Sequence, residues 1–118
     1  MDWINLSSEL QLEEIIQKSF DKQIIGILLF KHSTRCSLSS MVLNRLERNW
    51  KFSSDTFPVY LLDLIKYPAV SAEIIDIFKV QHQSPQVLII KNGKSIYTAS
   101  HSDITVADIE TTLNCKLP

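Results

Sequence analysis

An unbroken apolar run, Ile24-Ile25-Gly26-Ile27-Leu28-Leu29-Phe30, has no side chain that seeks water. A segment of strand length with this pattern has to be covered on both faces, the condition of a central strand in a largely parallel sheet. Parallel neighbours in turn need helical crossovers. The chain offers one on each side. Ahead of the run, Ser7 or Ser8 is placed to cap a helix whose apolar residues Leu10, Leu12, Ile15, Ile16 and Phe20 recur near helical spacing, with an end around Asp21-Lys22. A short edge strand over residues 3–6 precedes it. Beyond the run, the polar break Lys31-His32-Ser33-Thr34-Arg35 leads to Cys36, which opens a second helix through Trp50 with Met41, Leu43, Leu46 and Trp50 on its apolar stripe.

The rest of the chain continues the alternation and then changes it. A polar loop over residues 51–57 and Pro58 lead into a second inner strand over residues 59–64, where proline at the first position is tolerated. Lys66-Tyr67-Pro68 ends that strand, and residues 69–78 carry Val70, Ile74, Ile75, Ile77 and Phe78 in a third helix. After the polar connection Gln81-His82-Gln83-Ser84-Pro85, two β-rich runs flank Asn92-Gly93, which signals a hairpin of antiparallel strands over residues 87–90 and 96–99. Thr105 with Asp108 then makes a capping-box-like start to a last helix through Leu113, with Val106, Ile109 and Leu113 inward. The order (β)αβαβαββα, crossovers first and hairpin last, predicts an α/β fold with a mixed central sheet, helices on both faces and thioredoxin-like topology.

Composition bounds what such a fold does. The 118 residues, 45% of them hydrophobic, suit a single domain over residues 1–118 with no linker or repeat. Twelve basic against thirteen acidic residues give a net charge of −1 without a basic stripe, so neither nucleic acid nor an anionic membrane is an expected partner. The start lacks the features of a signal peptide and no apolar run reaches membrane-spanning length, so the expected location is cytoplasmic. In a reducing compartment the well-separated Cys36 and Cys115 are expected as free thiols, in a monomer.

Cys36 is the residue with chemistry. It stands between a buried strand and a helix start, at the carboxyl end of the strand, where open α/β sheets place their ligand crevices. Helix N–H groups and the Arg35 cation there favour a thiolate. The competing description, a small apolar core residue, sits poorly with polar neighbours on both sides. Three residues on, at the spacing where dithiol oxidoreductases carry a second cysteine, stands Ser39. A monothiol can take over the small-thiol half of a mixed disulfide, but release must then come from another small thiol or a partner. Cys115, at the end of the last helix, reads as a bystander. Ser84-Pro85 closes the connection before the hairpin and is the kind of bond that can be cis at modest cost.

The segments Phe30-Lys31-His32-Ser33-Thr34-Arg35-Cys36-Ser37-Leu38-Ser39, His82-Gln83-Ser84-Pro85-Gln86-Val87 and Lys91-Asn92-Gly93-Lys94 resemble the YtxJ-like proteins of the bacillithiol system, the monothiol bacilliredoxins. The likeness covers nearly the whole chain. It implies a thioredoxin-like fold and a nucleophilic cysteine that removes bacillithiol from protein mixed disulfides. By that likeness Cys36 is the nucleophile, Ser39 replaces a resolving cysteine, and Pro85 is the cis-proline that faces the active cysteine, with Thr34, Arg35 and Ser84 shaping the site. The chain departs from the commonest motif in having Arg35 between Thr34 and Cys36, and Ser37 where proline is usual. Bacillithiol or another low-molecular-weight thiol is then a co-substrate rather than a bound cofactor, and the partners are S-thiolated client proteins and a small-thiol recycling system.

Other readings predict different residues. A glutathione-dependent, glutaredoxin-like protein would want a glycine after the cysteine and a glycine pair past the proline strand, yet the chain has only Gly26 and Gly93. A peroxidase would want threonine three residues before the thiol, where Ser33 stands. A non-catalytic thioredoxin-like adaptor, with Cys36 vestigial, is the alternative from a different class. Lys31, His32 and His82 are candidate contacts for the small thiol, against the simpler description of solvated loop side chains. His101 reads as a surface residue at a strand end, and no spacing of Cys or His supplies a metal site.

Overall fold

Strand β2 (Ile27–His32) is buried at every residue, and the rest of the molecule is arranged around it. The computed structural model describes residues 1–116, with side chains described through residue 114. Before β2 come β1 (Trp3–Asn5) and α1 (Glu9–Lys18); after it come α2 (Ser37–Asn49), β3 (Val59–Asp63), α3 (Pro68–Phe78), β4 (Gln86–Lys91), β5 (Lys94–Ser100) and α4 (Val106–Lys116). The five strands form one sheet in the order β1-β3-β2-β4-β5. β3 runs parallel to β1 and β2, whereas β4 is antiparallel to both β2 and β5.

Two cores account for the apolar run. Ile27 and Leu29 point to the side where Leu12 and Ile15 of α1 and Ile74 of α3 pack. Leu28 and Phe30 point to the opposite side, against Val42 and Leu46 of α2 and Ile109 and Leu113 of α4. Each fully buried Leu or Ile contributes about 1.5–3 kcal/mol relative to exposure.

Local chemistry fixes the ends of the elements. Ser8 caps α1 in a full capping box with Gln11. Pro68 opens α3 at a position where its missing N–H costs nothing, and Lys79 closes it in the left-handed conformation. The Thr105 hydroxyl accepts the Asp108 N–H at 3.2 Å at the start of α4. Asn92 and Gly93 both have positive φ, the requirement of the tight hairpin turn that the pair announced. The Gly93 N–H donates to Ser19 Oγ at 2.8 Å, docking the turn on the end of α1.

Three expectations are corrected. The central strand begins at Ile27 rather than Ile24 and continues through Lys31 and His32, which the polar pattern had assigned to a loop. Backbone pairing is the reason: Lys31 is matched with Leu62 and Gln86, His32 is matched with Asp63, and the Leu64 N–H donates to the His32 carbonyl at 3.0 Å. Met41 is exposed, because the buried stripe of α2 is Ser39, Val42 and Leu46, and a residue two positions from Ser39 lies on the far side of the helix. Phe20 is also exposed, since α1 ends at Lys18 and Phe20 lies past its cap, and Leu10 is exposed because it falls on the far side of α1 from the buried Leu12 and Ile15.

Replacing Gly93 by Ala should destabilise the fold by about 1–2 kcal/mol. Its φ is +75°, and a Cβ there would lie 2.9 Å from the Phe20 ring. Urea unfolding of the variant tests this, and an unchanged midpoint would contradict it.

Candidate functional site

The end of β2 delivers two polar residues in succession to one end of the sheet. Lys31 points to the α1/α3 side and His32 to the α2 side, because alternate strand residues face opposite ways. The chain then turns through residues 33–36, where the Cys36 N–H donates to the Ser33 carbonyl at 3.2 Å. Cys36 is the N-cap of α2, half-buried, with no side-chain cap hydrogen bond. Its sulfur makes no hydrogen bond among the described residues. Thr34, Arg35 and Ser37 around it are exposed.

Ser39 is fully buried. Its hydroxyl lies 2.6 Å from His32 Nδ1 and accepts the Ser33 N–H at 3.1 Å. The residue at the spacing of a resolving cysteine is thus a clamp between strand, turn and helix. His32 is buried with it, its ring 6.0 Å from that of Phe30. Burial lowers the imidazole below its ordinary value, and the Asp63 and Glu47 carboxylates oppose that shift.

On the other side, the Lys31 Nζ is sealed from solvent and donates to Gln86 Oε1 at 3.1 Å, with His82 Nδ1 at 2.8 Å. No ion pair among the described residues involves it. Burial lowers the Lys31 amine to about 8. An ammonium has donors only, so Nδ1 of His82 is the acceptor and its Nε2 carries the ring hydrogen. Burial and the Lys31 charge lower His82 as well. Gln86 Nε2 donates to the Gln81 carbonyl at 3.0 Å, so Lys31, His82 and Gln86 together hold the connection between α3 and β4.

That connection ends in Ser84-Pro85, and the peptide bond between them is cis. Pro85 is buried one residue beyond Gln86, the register partner of Lys31, so it lies at the same end of the sheet as His32. Ser84 Oγ is buried without a hydrogen-bond partner among the described residues. The sequence reading missed His101. It is exposed, as expected, but it adopts a φ of 56° and its N–H donates to the Pro85 carbonyl at 2.9 Å. Nothing in the sequence marks this, because a positive φ is uncommon outside glycine. Cys115 has its side chain outside the described residues. Among the described residues no cluster of His, Cys, Asp or Glu has the makings of a metal site.

One thiol at a helix N-cap, following a central strand and sharing its end of the sheet with a cis-proline, defines a thioredoxin-fold site with a single cysteine. Solved structures agree on the fold. A thioredoxin-fold protein described as a candidate oxidoreductase is 27% identical, with a TM-score of 0.77 over 92% of this chain and 91% of that one. The thioredoxin of Fasciola hepatica is 15% identical with a TM-score of 0.71 over 96% and 98% of the two chains. The Malassezia sympodialis thioredoxin Mala s 13 is also 15% identical, with a TM-score of 0.68 over 94% and 87%. The family model described as monothiol bacilliredoxin BrxC matches residues 4–109, and the chain belongs to that family. Family and fold make it a thiol oxidoreductase in the general sense.

The buried amine makes stability depend on pH in a defined direction. The folded chain loses the Lys31 proton near pH 8, while the unfolded chain keeps it to about 10.5. The unfolded state binds more protons in that window, so stability contributed at this residue rises with pH between those limits. The unfolding free energy of wild type minus that of Lys31→Met should therefore rise between pH 8 and 10.5; a constant difference in urea melts would contradict the assignment.

Proposed function

We propose that this chain is a monothiol thiol-disulfide oxidoreductase that removes a low-molecular-weight thiol, bacillithiol, from protein mixed disulfides, with Cys36 as nucleophile. The observation that carries the reading is the pairing of a Cys36 sulfur at the helix start, without a hydrogen bond among the described residues, with a hydroxyl, not a thiol, at residue 39. In the first step the Cys36 thiolate attacks the small-thiol sulfur of the client disulfide. A Cys36 mixed disulfide forms and the client leaves as its thiolate. In the second step a free small thiol attacks that adduct, regenerating Cys36 and leaving as the symmetric disulfide, which a recycling system reduces.

The surroundings suit each step. The attacking sulfur stands at the positive end of α2 with Arg35 beside it, so negative charge that develops on sulfur during exchange meets a helix dipole and a cation. Lys31 places a second positive charge beneath His82, whose outward Nε2–H is a donor for a carboxylate of the small thiol. The S-thiolated clients and the reducing cytoplasm in which bacillithiol works belong to the same proposal.

The test is turnover on an S-bacillithiolated client. Cys36→Ser should abolish it, and Cys115→Ser should leave it within about twofold. Ser39→Cys should release the small thiol without an added thiol, because residues three apart share a helix face and can close a disulfide. Lost turnover in Cys115→Ser with the adduct still formed on Cys36 would make Cys115 the resolving thiol and refute the monothiol mechanism.

A further inference from the structure

The Lys31 side chain is fully buried and ends in an ammonium, yet both acceptors it meets are neutral: His82 Nδ1 at 2.8 Å and Gln86 Oε1 at 3.1 Å. Neither ion pair among the described residues involves it. A buried charge without a counter-charge is unfavourable. The carboxylates of the surrounding elements do not supply one. Asp63 of β3 acts on His32 instead, and neither Glu9, Glu13 and Glu14 of α1 nor Glu73 and Asp76 of α3 shift Lys31 or His82. Burial alone lowers Lys31, and it stops at about 8, so the charge is still present at neutral pH.

Of the two partners, only His82 reaches solvent. Gln86 is buried and its amide nitrogen is spent on the Gln81 carbonyl at 3.0 Å, whereas His82 is exposed. Because Nδ1 accepts from an ammonium, the hydrogen of the neutral ring sits on Nε2, which has no partner among the described residues. The ring therefore carries the buried charge to the surface as a single N–H donor with a cation behind it.

We propose that Lys31 and His82 form a proton-linked carboxylate site: a carboxylate of an anionic small thiol accepts the His82 Nε2–H and supplies the counter-charge that no described residue supplies, and its hold weakens when Lys31 gives up its proton. The proposal deepens the contact assigned to His82 above and takes the identity of the ligand from that reading. Loss of the proton acts twice. The charge behind the ring disappears, and a neutral amine accepts as well as donates, so the ring hydrogen is no longer held on Nε2. By reciprocity a bound carboxylate makes Lys31 keep its proton to higher pH, and the only atom transferred is the proton that Nζ takes from the buffer. A small thiol without a carboxylate gains nothing from the pair, which makes Lys31 and His82 specificity-determining residues.

Succinate is the probe, with succinamide as its uncharged counterpart at the same ionic strength. Followed by NMR, the His82 ring signals should shift saturably with succinate at pH 7, the affinity should fall about tenfold or more at pH 9.5, and succinamide should move them at neither pH. Lys31→Met should bind at pH 7 as weakly as wild type does at pH 9.5, whereas Lys31→Arg, which keeps its charge, should hold succinate at both. Calorimetry of wild type at pH 8.5, in two buffers of different ionisation enthalpy, needs no variant and should show proton uptake on binding. No saturable shift, equal wild-type affinity at the two pH values, an equal response to succinamide, wild-type affinity in Lys31→Met, or binding without proton uptake overturns the proposal. None of these measurements uses Cys36 or a disulfide. Their failure leaves the dethiolation test standing, and failed dethiolation with succinate still bound refutes the thiol chemistry alone.

Discussion

Hydrogen-bonded pairing of β2, with β4 through Lys31 and with β3 through His32, is the constraint on which the site depends. Lys31 is held between Leu62 and Gln86, and His32 is matched with Asp63. Because the strand does not fray there, two ionisable side chains are carried into the two cores that the apolar residues before them have built. Each must find partners or destabilise the fold. Lys31 finds His82 and Gln86, which ties down the connection leading to the cis-proline. His32 finds Ser39, which ties the turn before Cys36 to the first turn of α2. The two halves of the site are thus positioned by neighbouring residues of one strand.

This arrangement gives Ser39 a different meaning from a missing cysteine. A thiol at that position could close a disulfide with Cys36, whereas a hydroxyl cannot, and in the proposed mechanism the mixed disulfide then persists until an external thiol attacks it. The hydroxyl also does what a thiol, a weak donor and acceptor, does poorly: it accepts the Ser33 N–H and engages the imidazole together. The fold is shared with thioredoxins at 15% identity, so the chemistry proposed for this chain has to come from a few positions around the thiol rather than from the scaffold.

Much of the scaffold was legible in the sequence. The apolar run located the central strand, Asn92-Gly93 located the hairpin, and the order of elements gave the topology that the model and its structural neighbours have. The Cys36 position at a helix start and the cis bond before Pro85 were legible too, the second through family resemblance. What stayed hidden shares a physical cause. Lys31 and His32 were placed in a loop because polarity reads as exposure, while their burial depends on partners distant in the chain, 51 residues away for His82. Met41 was placed inward because hydrophobicity reads as burial, and only the packed register of α2 shows otherwise. The backbone bond from His101 to Pro85 leaves no trace in side-chain pattern at all.

The central claim, that Cys36 alone accepts a small thiol and keeps it, is tested most directly by intact mass. The protein is incubated separately with oxidised bacillithiol, glutathione disulfide and coenzyme A disulfide, and the adducts on Cys36 and Cys115 are located by peptide mapping. The account predicts one bacillithiol adduct on Cys36, formed faster than the other two and stable until free thiol is added. Adducts on Cys115 alone, an intramolecular disulfide between the two cysteines, or no adduct on Cys36 with any of the three would contradict it.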